Sequence, residues 1–127
     1  LHLHGELTKA RSSFDENLVY DIGYKDINMG DLCEKGYQLR PHIVWFGENV
    51  PNISLAHQIC STANILVIIG TSLNVYPASG IIHSAPENIP VYVIDPNDIN
   101  IYSSANIHQI KEKAVEGVKT LIKKLIK

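Results

Sequence analysis

Ile65-Leu66-Val67-Ile68-Ile69-Gly70-Thr71-Ser72 is the stretch on which the fold turns. Five apolar residues follow one another without a polar break, four of them β-branched, and a glycine ends the run. A surface helix would interrupt such a run every three or four residues, and a half-solvated strand every second one. The unbroken run predicts a strand buried on both faces of a parallel sheet. Downstream, Pro77 suits the first turn of a helix reaching about residue 85. Pro90 then leads into Val91-Tyr92-Val93-Ile94, a further strand stopped by Asp95-Pro96-Asn97. A last helix is predicted over about 108–126, with Val115, Val118, Leu121, Ile122, Leu125 and Ile126 on one stripe. Its Lys119, Lys123, Lys124 and Lys127 gather where they complement the helix dipole.

Upstream, Asn52 and Ser54 offer N-cap chemistry for a helix over roughly 54–63. Before it, Ile43-Val44-Trp45-Phe46 is a short β-rich run ended by Gly47. Strands and helices alternating with short connections predict an α/β fold, one half of a doubly wound, Rossmann-like parallel sheet. Ligands of such sheets bind at the C-terminal ends of the strands. Gly47-Glu48-Asn49, Gly70-Thr71-Ser72 and Asp95-Pro96-Asn97 fall there. Residues 7–39 break the pattern: they are polar, weakly periodic, and read as an inserted small module.

Composition narrows the function classes. With 45% hydrophobic and 19% charged residues, the 127-residue chain is an ordinary globular one, long enough to bury a core. Eleven basic against thirteen acidic residues give no reason to expect nucleic acid or an anionic membrane as partner. No apolar run approaches the ~20 residues of a membrane span. The opening Leu-His-Leu-His has neither the basic nor the apolar region of a signal peptide. Two distant cysteines, Cys33 and Cys60, fit a reducing, cytoplasmic setting. The chain opens without Met inside what reads as a structured segment, and a piece of a longer polypeptide is the expectation.

Three segments can carry chemistry. If Leu1–His4 is extended, His2 and His4 share a face. They then read as a metal pair needing a third ligand such as His42 or Cys33, as structural histidines, or as a general base titrating near neutral pH. The pair alone leaves all three open. Gly70-Thr71-Ser72 lets backbone N–H groups and two hydroxyls approach a phosphate or ribose closely. Neither GxGxxG nor GxxxxGK[ST] is present, which counts against an ordinary dinucleotide oxidoreductase and against a nucleoside-triphosphatase. In Trp45-Phe46-Gly47-Glu48, core packing suits Trp45, whereas Phe46 suits either packing or a pocket wall.

Taken in order, three segments resemble the sirtuin family. They are Leu3-His4-Gly5-Glu6, then Leu39-Arg40-Pro41-His42-Ile43-Val44-Trp45-Phe46-Gly47-Glu48, then Ile69-Gly70-Thr71-Ser72-Leu73-Asn74-Val75-Tyr76-Pro77-Ala78. The middle wording is most similar to the class III branch, which removes succinyl, malonyl and sometimes acetyl groups from lysine. The resemblance implies the C-terminal part of a catalytic domain, with NAD as co-substrate and an acyl-lysine protein or peptide as partner. It implies that His4 draws a proton from the ribose hydroxyls after nicotinamide leaves, so that activity falls as the imidazole protonates at low pH. It places Val44 and Phe46 along the acyl-lysine channel. Gly47, Glu48 and Asn49, with Leu73, Asn74 and Val75, would clamp the substrate backbone as an added strand. Gly70, Thr71 and Ser72 would meet the phosphate and ribose of NAD, Asp95, Pro96 and Asn97 the adenosine, and Ala114 the adenine.

The chain also departs from the family. Most sirtuins hold a structural zinc with four cysteines in the small module. Here Ser12 falls where the first pair should begin, and only Cys33 remains near the second. One thiolate cannot supply a tetrahedral site. No zinc is therefore expected, and contacts among Phe14, Leu18, Val19, Tyr20, Ile22, Tyr24 and Tyr37 are expected to hold the module. The family's N-terminal Gly-Ala-Gly loop, its Gln-Asn-Ile-Asp segment and the class III Tyr and Arg pair are outside these residues, so the 127 residues alone are expected to be inactive. A non-catalytic NAD-binding module and an ADP-ribosyltransferase are the rival readings.

Overall fold

Three strands of unequal length make the first sheet of the computed structural model, which describes residues 1–99 and 106–126. β1 (Gly5–Ser12) is the central strand, with β2 (Val19–Asp21) antiparallel on one side and β3 (Leu39–Ile43) antiparallel on the other. Pro41 lacks an N–H for a ladder, and β3 tolerates it because it has a single strand neighbour in this sheet. Ala10, Arg11 and Ser12 at the end of β1 are buried, the two polar residues among them included. The chain divides into two compact units, Leu1–Asn52 and Ile53–Lys127. The first contains this sheet, whose strands extend to both sides of residues 7–39.

The second unit is the parallel part. α1 (Ile53–Ser61) precedes β4 (Leu66–Ile69), and a 3-10 helix (Ala78–Ser84) connects it to β5 (Val91–Ile94). β6 (Ile107–Ile110) and α2 (Ala114–Leu125) complete it. The sheet order is β4-β5-β6, all parallel, with Ile69 opposite Ile94 and Ile94 opposite Ile110. Ile94, Ile110 and Leu121 form the buried core, with Tyr92 and Val118 packed against it. Each such side chain contributes about 1.5–3 kcal/mol on removal from water. Gly117 lets α2 lie close to the sheet: a Cβ there would come within 2.2 Å of Ile94 Cγ2. Among the described residues no helix is long and apolar enough to cross a membrane.

Several expectations change. The apolar run is the parallel strand expected, β4; among the described residues it has β5 as its one strand neighbour, and Val67 and Ile69 are exposed. β5, in the middle, takes the buried place. The segment predicted as a strand from Ile43 to Phe46 ends at Ile43, and the strand begins earlier, at Leu39. The helix after Pro77 is 3-10 rather than α. Residues 108–110, expected in the last helix, belong to the strand β6 instead. Tyr92 and His108 are cross-strand partners there, with ring centroids 5.2 Å apart. On α2 only Gly117 and Leu121 are buried, while Val115, Ile122 and Leu125 are exposed, as is Ile126 at its C-cap. Lys127 lies outside the described residues.

Candidate active site

His4 precedes β1 in a turn rather than an extended segment. The Gly5 N–H donates to the His2 carbonyl across it at 3.4 Å, so His2 and His4 do not share a strand face. The His2 ring approaches Glu6 at 3.7 Å, while His4 is exposed. The His4 carbonyl accepts the Val44 N–H at 3.0 Å, which extends the β1–β3 pairing by one step. That bond fixes His4 beside the segment carrying Val44 and Phe46. Among the described residues, no three His, Cys, Asp or Glu side chains are placed to hold a metal. Beside the turn a cavity of about 300 Å³ is walled by Leu3, Gly5, Arg11, His42 and Val44 among others, and the His42 Nδ1 is buried with no hydrogen-bond partner among the described residues.

The segment after β3 is tied down by one carboxylate. Glu48 Oε1 accepts from Arg40 Nη1 at 2.6 Å, and Oε2 accepts from Arg40 Nη2 at 3.1 Å. Oε2 also takes Arg11 Nη2 at 3.3 Å and the Trp45 N–H at 3.0 Å. In return the Glu48 N–H donates to the Trp45 carbonyl at 3.1 Å. The Arg40 guanidinium, then the Trp45 amide, lower the Glu48 carboxyl to about 2. Phe46, within this turn, is 95% exposed, and Trp45 is also exposed rather than packed in a core. Sequence reading missed Arg11 and Arg40. Only their placement opposite each other in the β1–β3 register reveals them.

In the second unit the parallel register brings two predicted strand ends together. The Gly70 N–H donates to the Ile94 carbonyl at 2.9 Å, so Gly70-Thr71-Ser72 and Asp95-Pro96-Asn97 leave one edge of the sheet side by side. The Thr71 hydroxyl accepts the Leu73 N–H at 3.2 Å, and Leu73 holds a left-handed conformation at φ 55. Asn74 and Val75 follow, ahead of a cis Tyr76–Pro77 peptide bond. Asp95 is buried, and its Oδ1 accepts both the backbone and side-chain N–H groups of Asn97, at 2.8 and 3.2 Å. Gln109 at the end of β6 donates to the Asn97 carbonyl at 2.7 Å. Ala114 opens α2 close after β6.

The family's zinc does not fit these residues. A CxxC pair beginning at Ser12 would end at Asp15, and one beginning at Cys33 would end at Gly36. The buried Ser12 hydroxyl accepts the Phe14 and Asp15 N–H groups, each at 3.2 Å, and Cys33 Sγ lies 3.5 Å from it. Lys35 places its ammonium 2.8 Å from Asp15, a cation at the site where zinc would need anionic ligands. Phe14 stacks on Tyr37, with ring centroids 4.3 Å apart. The expected hydrophobic contacts are thus only partly present: Tyr24 is fully exposed, and Val19 and Phe14 are also exposed. A serine-centred hydrogen-bond knot holds the ends of the module together. Ser12→Ala strands two amides and is expected to cost about 1–3 kcal/mol. A chelator is expected to leave the wild-type melting temperature unchanged, as differential scanning fluorimetry with and without EDTA would show. A drop of several degrees with EDTA would instead reveal a bound metal.

Comparison with known proteins joins these observations. The Sir2 family profile matches residues 1–77. An NAD-dependent protein deacylase of Bacteroides thetaiotaomicron is 49% identical over 131 aligned residues, covering 99% of this chain and 56% of that protein. One from Helicobacter pylori is 48% identical, covering 99% of this chain and 55% of that protein. The chain therefore spans about half the length of the curated relatives it matches. A crystal structure of a Sir2 homologue in complex with NAD superposes with a TM-score of 0.82 at 27% identity, over 98% of this chain and 50% of that one. The matched profile, the relatives and the fold agree, and this chain belongs to the Sir2 family.

Proposed function

We propose that the protein to which these residues belong removes acyl groups from protein lysine with NAD as co-substrate, releasing nicotinamide and O-acyl-ADP-ribose. The observation that carries the reading is near-half identity, across almost the whole chain, to relatives named NAD-dependent protein deacylase. Local geometry supports it: His4 is exposed and tied through its backbone to Val44, next to the exposed Phe46.

In this reading NAD and acyl-lysine supply the reacting atoms. The acyl carbonyl oxygen attacks C1′ of the nicotinamide ribose, and the C1′–nitrogen bond breaks. His4 takes a proton from a ribose hydroxyl, the 2′-oxygen attacks the imidate carbon, and water completes the release of lysine. Val44 and Phe46 line the acyl-lysine path. Gly47, Glu48 and Asn49, and likewise Leu73, Asn74 and Val75, offer main-chain groups to an extended peptide. Gly70, Thr71 and Ser72 serve the NAD phosphate and ribose, Asp95, Pro96 and Asn97 its adenosine, and Ala114 its adenine. Two buried free thiols, Cys33 and Cys60, support action in the reducing cytoplasm.

The test follows products. Succinyl- and acetyl-lysine peptides are incubated with NAD and the full-length protein, and nicotinamide, deacylated peptide and O-acyl-ADP-ribose are measured by mass spectrometry. All three products are expected, with the faster peptide identifying the acyl preference. Labelled protein without deacylated peptide would move the reading to ADP-ribosyl transfer. NAD binding without turnover would move it to a non-catalytic module.

A further inference from the structure

Arg11 and Arg40 face each other as register partners on adjacent antiparallel strands, and Arg11 is 8% exposed. Two like charges placed opposite each other in a sheet destabilise it. A buried guanidinium without a counter-ion is costlier still. Glu48 answers both: one carboxylate spans the pair, bidentate to Arg40 and within reach of Arg11.

A structural ion pair would need nothing more, yet Glu48 does more. Its Oε2 also takes the Trp45 amide, and its own N–H closes the turn onto the Trp45 carbonyl. Among the described residues, the hydrogen bonds and ion pairs of this turn pass through residue 48 to residues 11, 40 and 45. The turn so held presents Phe46 almost wholly to solvent. An exposed phenylalanine on a well-anchored turn has gained no burial within its own unit. What the anchoring fixes is the direction in which Phe46 and the adjoining Gly47 and Asn49 backbone face.

We propose that Glu48 is a positioning residue for the acyl-lysine segment: through Arg40, Arg11 and the Trp45 amide its side chain sets the 45–48 turn that receives the substrate, and contact with substrate is left to main-chain groups. This rests on the deacylase reading for what the turn receives, but not for the clamp. Pre-setting the turn removes an ordering cost from substrate binding. The free carboxyl is lowered towards 2. The clamp is therefore complete above the ordinary carboxylate value near 4.5 and is lost only as pH falls towards 2.

Two readouts test it, the first in the full-length protein. In steady-state kinetics, Glu48→Gln keeps the side chain's size and removes its charge. The peptide KM is expected to rise roughly tenfold or more, with kcat and the KM for NAD changed less than about threefold. Glu48→Asp, which restores the charge, is expected to recover part of the loss. An unchanged peptide KM in Glu48→Gln, or an equal loss in kcat and in both KM values, overturns the positioning role. The second readout needs no turnover. Trp45 is the single tryptophan of these 127 residues, and its fluorescence in this chain reports the turn. Acrylamide quenching is expected to rise in Glu48→Gln, and the wild-type signal is expected to change between about pH 4.5 and 2. Quenching equal to wild type overturns the clamp. Wild-type protein that turns over neither acyl peptide sinks the deacylase reading alone, while the Trp45 readout still decides the clamp.

Discussion

On the proposed deacylase reading, His4→Ala in the full-length protein is expected to lower the deacylation rate by about 10²–10⁴-fold, the usual contribution of a positioned general base, while leaving the protein folded. The two halves of that statement come from different atoms of the same residue. The structural contribution of His4 is its main-chain carbonyl, which accepts the Val44 N–H, and alanine keeps that carbonyl. The imidazole is exposed, and among the described residues no hydrogen bond or ion pair involves it. Its removal should cost within about 0.5 kcal/mol of stability, as at other exposed positions. Single-turnover nicotinamide release and deacylation, measured beside a thermal melt, separate the two. A variant that deacylates at the wild-type rate would show that another group takes the proton. A variant that is inactive because it has unfolded would show that the side chain has packing that the structure does not contain.

Gly5→Ala should act in the opposite way, through the fold. Gly5 has φ 86, and a Cβ on it would stand 2.0 Å from the His42 carbonyl oxygen. That oxygen is backbone in the neighbouring strand and cannot rotate away. The left-handed conformation alone costs a non-glycine residue roughly 1–2 kcal/mol. Forcing β1 and β3 apart adds roughly 1–3 kcal/mol of overpacking strain. The sum, on the order of 2–5 kcal/mol, is a large part of the ~5–15 kcal/mol that holds a typical domain together. The melting temperature is expected to fall by about 10 °C or more. Gly23→Ala is the control, because Gly23 also has a positive φ, 58, but nothing lies within 4 Å of its added Cβ. It should lose only about 1–2 kcal/mol. Equal losses in the two variants would mean that close approach at Gly5 is not what matters.

What could be read in the sequence depended on how local its signal was. β5 was legible because Pro90 and Asp95-Pro96 punctuate four apolar residues, and the strand bounds agree with those read. Gly70-Thr71-Ser72 and Asp95-Pro96-Asn97 were legible as strand ends for the same reason. β6 was not, since Ile107-His108-Gln109-Ile110 carries two polar residues and runs into a helical pattern. The N-cap of α2 is Lys113, which makes no side-chain cap, so nothing in the residues marks where that helix starts. The exposure of β4 was hidden because an apolar run does not say where in a sheet it lies. Ser12 drew notice as a lost cysteine, but its part in a hydrogen-bond knot depends on Cys33, distant in sequence. Arg11 and Arg40 are likewise related by strand register and not by spacing.

The position of β4 has a practical side. Among the described residues it is paired with β5 alone, and Val67 and Ile69 stand exposed on one face with Ile65 exposed just before them. Apolar strands with an open edge are templates on which other chains add, and proteins normally blunt them with lysine or proline or by covering them. β4 carries neither of those residues. Expressed by itself and concentrated, this chain is thus disposed to aggregate through Ile65–Ile69, and a lysine at Val67 is the natural solubilising substitution.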